Sequence, residues 1–177
     1  MIRLSTLVLI LAAVFANSAG ASKCGEPPSD EIVDFLGRDL ERNEVNLSSY
    51  NGKIVVVAFW ASWCPPCLKE LPMLEALQRK AGKNLIEVVA VNYDENRHTV
   101  RKFLRHWGTE VQMTITRDYK RRARKSLDVD AIPATYVFDS NGELQDSHCG
   151  YSEGGFNKLL ENLNDLILRE SASKSDG

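Results

Sequence analysis

Seven consecutive apolar residues, Ile54 to Trp60 (IVVVAFW), stop three residues short of Cys64-Pro65-Pro66-Cys67. The run is β-branched and aromatic with no polar alternation, the pattern of a strand buried on both faces. Beyond the cysteines, Leu68, Leu71, Met73, Leu74 and Leu77 recur at mostly helical spacing, so a helix opens at Cys64 and Pro65. Pro65 and Pro66 suit a first helical turn, where a missing N–H costs little. Pro72 lies inside the helix and is expected to kink it. A strand that feeds a cysteine straight into a helix N-terminus places that thiol where backbone N–H groups and the helix dipole stabilise a thiolate. Cys64 is therefore the expected exposed nucleophile. Cys67, one turn on and more buried, is expected to resolve a mixed disulfide. The two prolines restrict the loop between them. The competing readings are a structural zinc site and a purely structural bridge. Zinc needs four ligands; there is no second CxxC, and His98, His106 and His148 are scattered on other segments.

The rest of the chain makes one domain around this unit. Its 177 residues leave little room for a second. Hydrophobic residues at 44% and charged residues at 26% exclude a disordered chain, and a net charge of -2 gives no reason to expect nucleic acid. The opening 1–21 reads as a cleaved signal peptide: Arg3, an apolar stretch from Leu4 to Phe15, then Ala19-Gly20-Ala21. The apolar stretch falls short of the ~20 residues of a spanning helix, though an uncleaved anchor remains the alternative. The consequence is the periplasm or another extracytoplasmic space, with no stable membrane insertion after cleavage. Residues 22–44 are expected as an N-terminal arm, in which Phe35-Leu36 could start a short strand, and 45–170 as the domain. Strands are expected at Glu87–Tyr93, Val111–Thr116, Thr135–Asp139 and Leu144–His148, the last two joined by a Ser140-Asn141-Gly142 turn. Helices are expected over Arg97–Trp107, Lys120–Leu127 and a stretch carrying Phe156, Leu159, Leu160, Leu163, Leu166 and Ile167. Residues 171–177 are expected as a disordered tail. Parallel strands with crossover helices plus a hairpin make an α/β fold, a mixed central sheet with helices on both faces.

Phe59-Trp60-Ala61-Ser62-Trp63-Cys64-Pro65-Pro66-Cys67, with Glu70 and Pro72, resembles the thioredoxin superfamily, and within it the exported TlpA/ResA-like thiol-disulfide oxidoreductases. Val88 to Asp94, Val129 to Tyr136 and Asp139 to Gly142 match in order and spacing. The resemblance implies a thioredoxin fold and thiol–disulfide exchange with protein substrates. It implies reduction of disulfides in partners such as apocytochrome c or copper-site assembly proteins, with electrons from a membrane thiol donor and without a cofactor or metal. It also implies a cis peptide at Ile132-Pro133, facing the CxxC and letting Ile132 pair its backbone with an extended substrate; an ordinary trans turn is the alternative. Trp63, Pro65 and Pro66 complete the expected substrate-docking surface, while Trp60 is expected in the core. Thioredoxins carry a buried aspartate six residues before the first cysteine. Ala58 stands there, so a proton relay needs another group. Glu70, three residues after Cys67, is the candidate, unless it is one more solvated helix charge.

Two cysteines remain. An even count in an exported chain favours a Cys24–Cys149 bridge; two free thiols or an intermolecular link are the alternatives. The basic run Lys120 to Lys125 reads as a solvated helix face. A thiol peroxidase would need Pro-x-x-x-Thr-x-x-Cys, which neither Cys64 nor Cys149 has. A non-enzymatic Cu(I) chaperone binding through Cys64 and Cys67 is the other rival.

Overall fold

The computed structural model describes residue 24 and residues 33–108 and 110–175, with side chains to 172. The expected signal peptide lies outside the described residues. The elements in chain order are β1 (Phe35–Arg38), β2 (Glu44–Asn46), a 3-10 turn (Leu47–Tyr50), β3 (Ile54–Trp60), α1 (Pro65–Ala81), β4 (Ile86–Asn92), α2 (Arg97–Arg105), β5 (Thr114–Arg117), α3 (Arg122–Ser126), β6 (Ala134–Phe138), β7 (Leu144–Cys149) and α4 (Glu153–Ser175). They form one seven-stranded sheet in the order β2-β1-β5-β4-β3-β6-β7. Strands β3, β4 and β5 are parallel; β6 runs antiparallel to β3, and β7 to β6. This is the mixed sheet of a thioredoxin fold.

Side chains of β3 alternate between two cores. Ile54, Val56, Ala58 and Trp60 face a cluster closed by α1, α2 and α4. Val55, Val57 and Phe59 face a second, closed by the 3-10 turn, α3 and Leu36 of β1. Period-two alternation with apolar residues on both sides is what a central strand covered on both faces requires. Among the described residues no helix is long and apolar enough to cross a membrane.

Several boundaries differ from the sequence reading. The sheet begins at Phe35, so β1 and β2 belong to the domain and its edge lies before Val45. Gly37 makes this possible: at φ +108° it lies against Thr116, and a Cβ there would come within 2.8 Å of Thr116 Oγ1. The expected strand at Val111–Thr116 starts only at Thr114. The reason is Glu75 of α1, whose buried carboxylate takes the Gln112 and Met113 N–H groups at 2.9 and 3.2 Å, so no strand can. Helix α3 begins late because Arg121 adopts a left-handed φ of 57°. Asp118 then receives the Ala123 and Arg124 N–H groups at 3.2 and 2.9 Å. Helix α1 continues through Pro72. Helix α4 runs to Ser175, into the stretch expected as a disordered tail.

Cys24 and Cys149 are disulfide-bonded across a sequence separation of 125. In the chain-entropy account a loop of that length stabilises the fold by about 5 kcal/mol. The Cys24→Ser/Cys149→Ser protein is expected to melt roughly 10 °C or more lower and still to exchange disulfides. Differential scanning calorimetry with an activity assay checks both. An unchanged melting temperature would remove the bridge from the stability account.

Candidate active site

Cys64 occupies the N-cap of α1, with Pro65 and Pro66 opening its first turn. Its backbone is extended (φ -98°, ψ 97°), and its Sγ accepts the Cys67 N–H at 3.3 Å. The sulfur thus takes the place of the side-chain oxygen that usually satisfies an unpaired first-turn donor. The same interaction stabilises negative charge on Cys64 and offers nothing equivalent to Cys67. The two sulfurs are bonded to each other.

Exposure differs from expectation. Cys64 is only 3% exposed, against 1% for Cys67, while Trp63 beside it is 62% exposed. Turned in to meet the Cys67 N–H, the sulfur leaves the surface to Trp63 and Pro65.

Glu70 is 4% exposed, and Thr135 Oγ1 donates to its Oε1 at 2.8 Å. Burial among apolar side chains pushes its carboxyl up to about 7, the Thr135 bond pulling only partly the other way. Ala58 is the register partner of Thr135 on the neighbouring strand. The carboxyl group of this site therefore comes from the helix and meets the sheet beside the alanine where thioredoxins carry their aspartate.

Strand β6 enters this end of the sheet through a cis Ile132-Pro133 bond. Gly150 N–H donates to the Pro133 carbonyl at 2.9 Å. Ala134 pairs with Phe59 on one side and Cys149 on the other. Register thus carries Pro133 to the end of β3 from which the redox turn departs, with the Cys24–Cys149 bridge next to it.

Residues 28–147 match the AhpC/TSA family. The thiol-disulfide oxidoreductase ResA of Geobacillus kaustophilus is 31% identical over 146 residues, covering 81% of this chain and 83% of the relative. The chain belongs to the AhpC/TSA family and is a thiol-disulfide oxidoreductase. ResA of Bacillus subtilis is likewise 31% identical, over 132 residues, 75% of this chain and 70% of that one. A putative thiol:disulfide interchange protein DsbE from Chlorobium tepidum superposes with a TM-score of 0.69 at 27% identity, covering 83% of this chain and 99% of its own.

Within this oxidoreductase the remaining singled-out residues sort by what they touch. Trp60 is buried, its ring 5.1 Å from that of Phe103, and belongs to the core. The basic run is a largely exposed face, as expected, and three of its arginines also make contacts within the chain: Arg122 stacks over Phe35 at 4.0 Å, Arg124 over Tyr93 at 4.2 Å, and Arg121 pairs with Asp94 at 2.8 Å. Two polar residues of the site were missed in the sequence. Thr135 had a signal, since it follows Pro133 within a matched stretch. Glu95, which binds the turn before Cys64, had none.

Proposed function

We propose that this oxidoreductase works outside the cytoplasm and reduces disulfides in partner proteins, drawing electrons from a membrane-bound thiol donor. The observation that carries the reading is the Cys64 sulfur at the α1 N-cap, one helical turn from buried Cys67, with buried Glu70 a further turn along the same helix. In the dithiol state the Cys64 thiolate attacks a partner disulfide. A Cys64–partner bond forms, the partner's own bond breaks, and the leaving sulfur departs as thiolate. Cys67, its proton passed to the Glu70 carboxylate, then attacks Cys64. The Cys64–Cys67 bond forms and the second partner sulfur is released. The net change is oxidation of this dithiol and reduction of one partner disulfide. Trp63, Pro65, Pro66, Ile132 and Pro133 form the docking face, on which the Ile132 backbone pairs with an extended partner segment.

Two features support the compartment. The leader-like 1–21 is an export signal by its pattern. The Cys24–Cys149 bridge suits an oxidising space, because such bonds do not persist in a reducing cytosol. Apocytochrome c and copper-site assembly proteins are the partner classes that the resemblance favours.

The test is the reduction potential of the Cys64–Cys67 pair in the protein lacking residues 1–21, by acid-trapped equilibration in thiol buffers. A value near or below about -200 mV is expected of a dedicated reductant; one near about -120 mV would reverse the direction of electron flow.

A further inference from the structure

Beyond β4 the chain makes a corner in which Tyr93 packs against both cores and the residues after it are held by polar contacts. Tyr93 N–H donates to the Trp60 carbonyl at 2.7 Å, so the corner starts level with the end of β3. Asp94 then adopts a φ of 69°, a left-handed conformation that side-chain-bearing residues rarely take. Its neighbours hold it there. Arg121, itself left-handed, forms the ion pair with Asp94. Asn92 Oδ1 accepts the Glu95 N–H at 3.2 Å, and Arg117 Nε donates to the Glu95 carbonyl at 3.0 Å. Asn96 closes the corner by capping α2, accepting the Thr99 N–H at 2.9 Å.

All of this presents one carboxylate to the turn that precedes Cys64. Ser62 N–H donates to Glu95 Oε2 at 2.7 Å and Ser62 Oγ to Glu95 Oε1 at 2.5 Å. Asn92 Nδ2 supplies a third donor at 2.7 Å. Three donors converge on one side chain: Oε2 takes the two N–H groups and Oε1 the hydroxyl, so that both carboxylate oxygens are used. The held turn continues into the Cys64 N–H, which donates to the Ala61 carbonyl at 3.1 Å, with Trp63 directed outward between them.

We propose that Glu95 is the positioning residue of the redox turn: by holding the Ser62 N–H and O–H it keeps Trp63 outward and Cys64 at the α1 N-cap, in the geometry from which Cys64 attacks. Glu95 acts through Ser62 and does not touch the reacting sulfurs. The inference rests on Cys64 as the attacking thiol.

The experiment compares the reduced full-length protein with Glu95→Ala, Ser62→Ala and the double variant, at a temperature where all are folded. Two quantities are read: the rate of reaction with the small disulfide 5,5′-dithiobis(2-nitrobenzoate), and the pH profile of Cys64 alkylation by iodoacetamide. Glu95→Ala, which removes every acceptor of the clasp, is expected to slow exchange roughly tenfold, and Ser62→Ala, which removes a single hydroxyl, by a few-fold. The double variant is expected to be no slower than Glu95→Ala, because both changes break one clasp. The alkylation profile of Glu95→Ala is expected to move to higher pH, since a loosened turn withdraws the sulfur from the Cys67 N–H. A profile moving to lower pH would mean that Glu95 acts only as a nearby negative charge, and would overturn the proposal. So would rates within twofold of the wild type, or single effects that multiply in the double variant. A wild-type protein that reduces no disulfide overturns the exchange chemistry itself and the proposal with it.

Discussion

Replacing Cys64 by serine is expected to abolish disulfide exchange, by roughly a thousandfold or more, whereas replacing Cys67 by serine is expected to leave the protein covalently joined to its partner. The asymmetry follows from the N-cap. Cys64 Sγ receives the Cys67 N–H at 3.3 Å and lies in the positive field of the α1 N-terminus. In the dithiol state this favours charge on the Cys64 sulfur over Cys67, and thiolate is what attacks. A Cys67→Ser protein retains that attack and lacks the second sulfur that would release the partner, so a mixed disulfide accumulates. Non-reducing electrophoresis and intact mass after mixing reduced variants with an oxidised protein substrate check this. Adducts of the Cys64→Ser protein, with none from Cys67→Ser, would reverse the two roles.

The second large effect concerns Glu70. Its carboxyl is pushed to about 7 by burial, well above the ordinary 4.5. As a proton acceptor for Cys67 it must be ionised, so the resolving step of the wild type is expected to accelerate as pH rises through about 7. Glu70→Gln is expected to lose that inflection and to resolve roughly 100-fold more slowly at pH 8. Stability runs the other way. Between about 4.5 and about 7 the folded chain holds a proton that the unfolded chain has released. Folding is thus favoured most below this window and loses about 3 kcal/mol as pH rises through it. Glu70→Gln removes the slope and is expected to be the more stable protein at pH 8. Urea unfolding of the oxidised protein at pH 5 and pH 8, beside stopped-flow decay of a preformed mixed disulfide, reads both. A variant that keeps the wild-type slope and inflection would exclude Glu70 from both roles.

These two predictions draw on different depths of information. Cys64 and Cys67 are legible in the chain because everything that defines them is local. The apolar run Ile54–Trp60, the two prolines and the leucines from Leu68 onward specify strand, turn and helix within some two dozen residues. Glu70 is half legible: its spacing from Cys67 places it on the right helix face. Spacing does not distinguish a solvated charge from a buried one, and that difference decides its chemistry. The decisive facts are its burial and the Thr135 hydroxyl, 65 residues away along the chain. Glu95 lies at the far end of this scale. In the stretch Tyr93-Asp94-Glu95-Asn96-Arg97 it looks like any exposed acid, and its value comes from the ends of β3 and β4 lying side by side.

The edge strands teach the same lesson. Strands β1 and β2 have four and three residues, too few for an alternation to emerge, and β1 carries a glycine at its centre. They are held by Gly37 against Thr116 and by the Thr116 hydroxyl on the Leu36 carbonyl at 2.6 Å, contacts that span 80 residues. The Val111–Met113 segment shows the converse. Its residues have strand propensity, yet the Glu75 carboxylate takes the N–H groups that a ladder would need.

Short-range order was thus set along the chain: hydrophobic period, turn residues and helix-opening prolines act over a few positions, and they define the central strands, the redox helix and the hairpin. Only the folded sheet set burial and the meeting of distant polar groups. A carboxylate takes its pKa and its hydrogen-bond partners from whatever the sheet brings beside it, and a cysteine its exposure from which neighbours cover it. Glu70, Glu75 and Glu95 are three glutamates of similar appearance in the sequence, and the tertiary structure makes them a buried carboxyl bonded to Thr135, a brace before β5 and an acceptor for the redox turn.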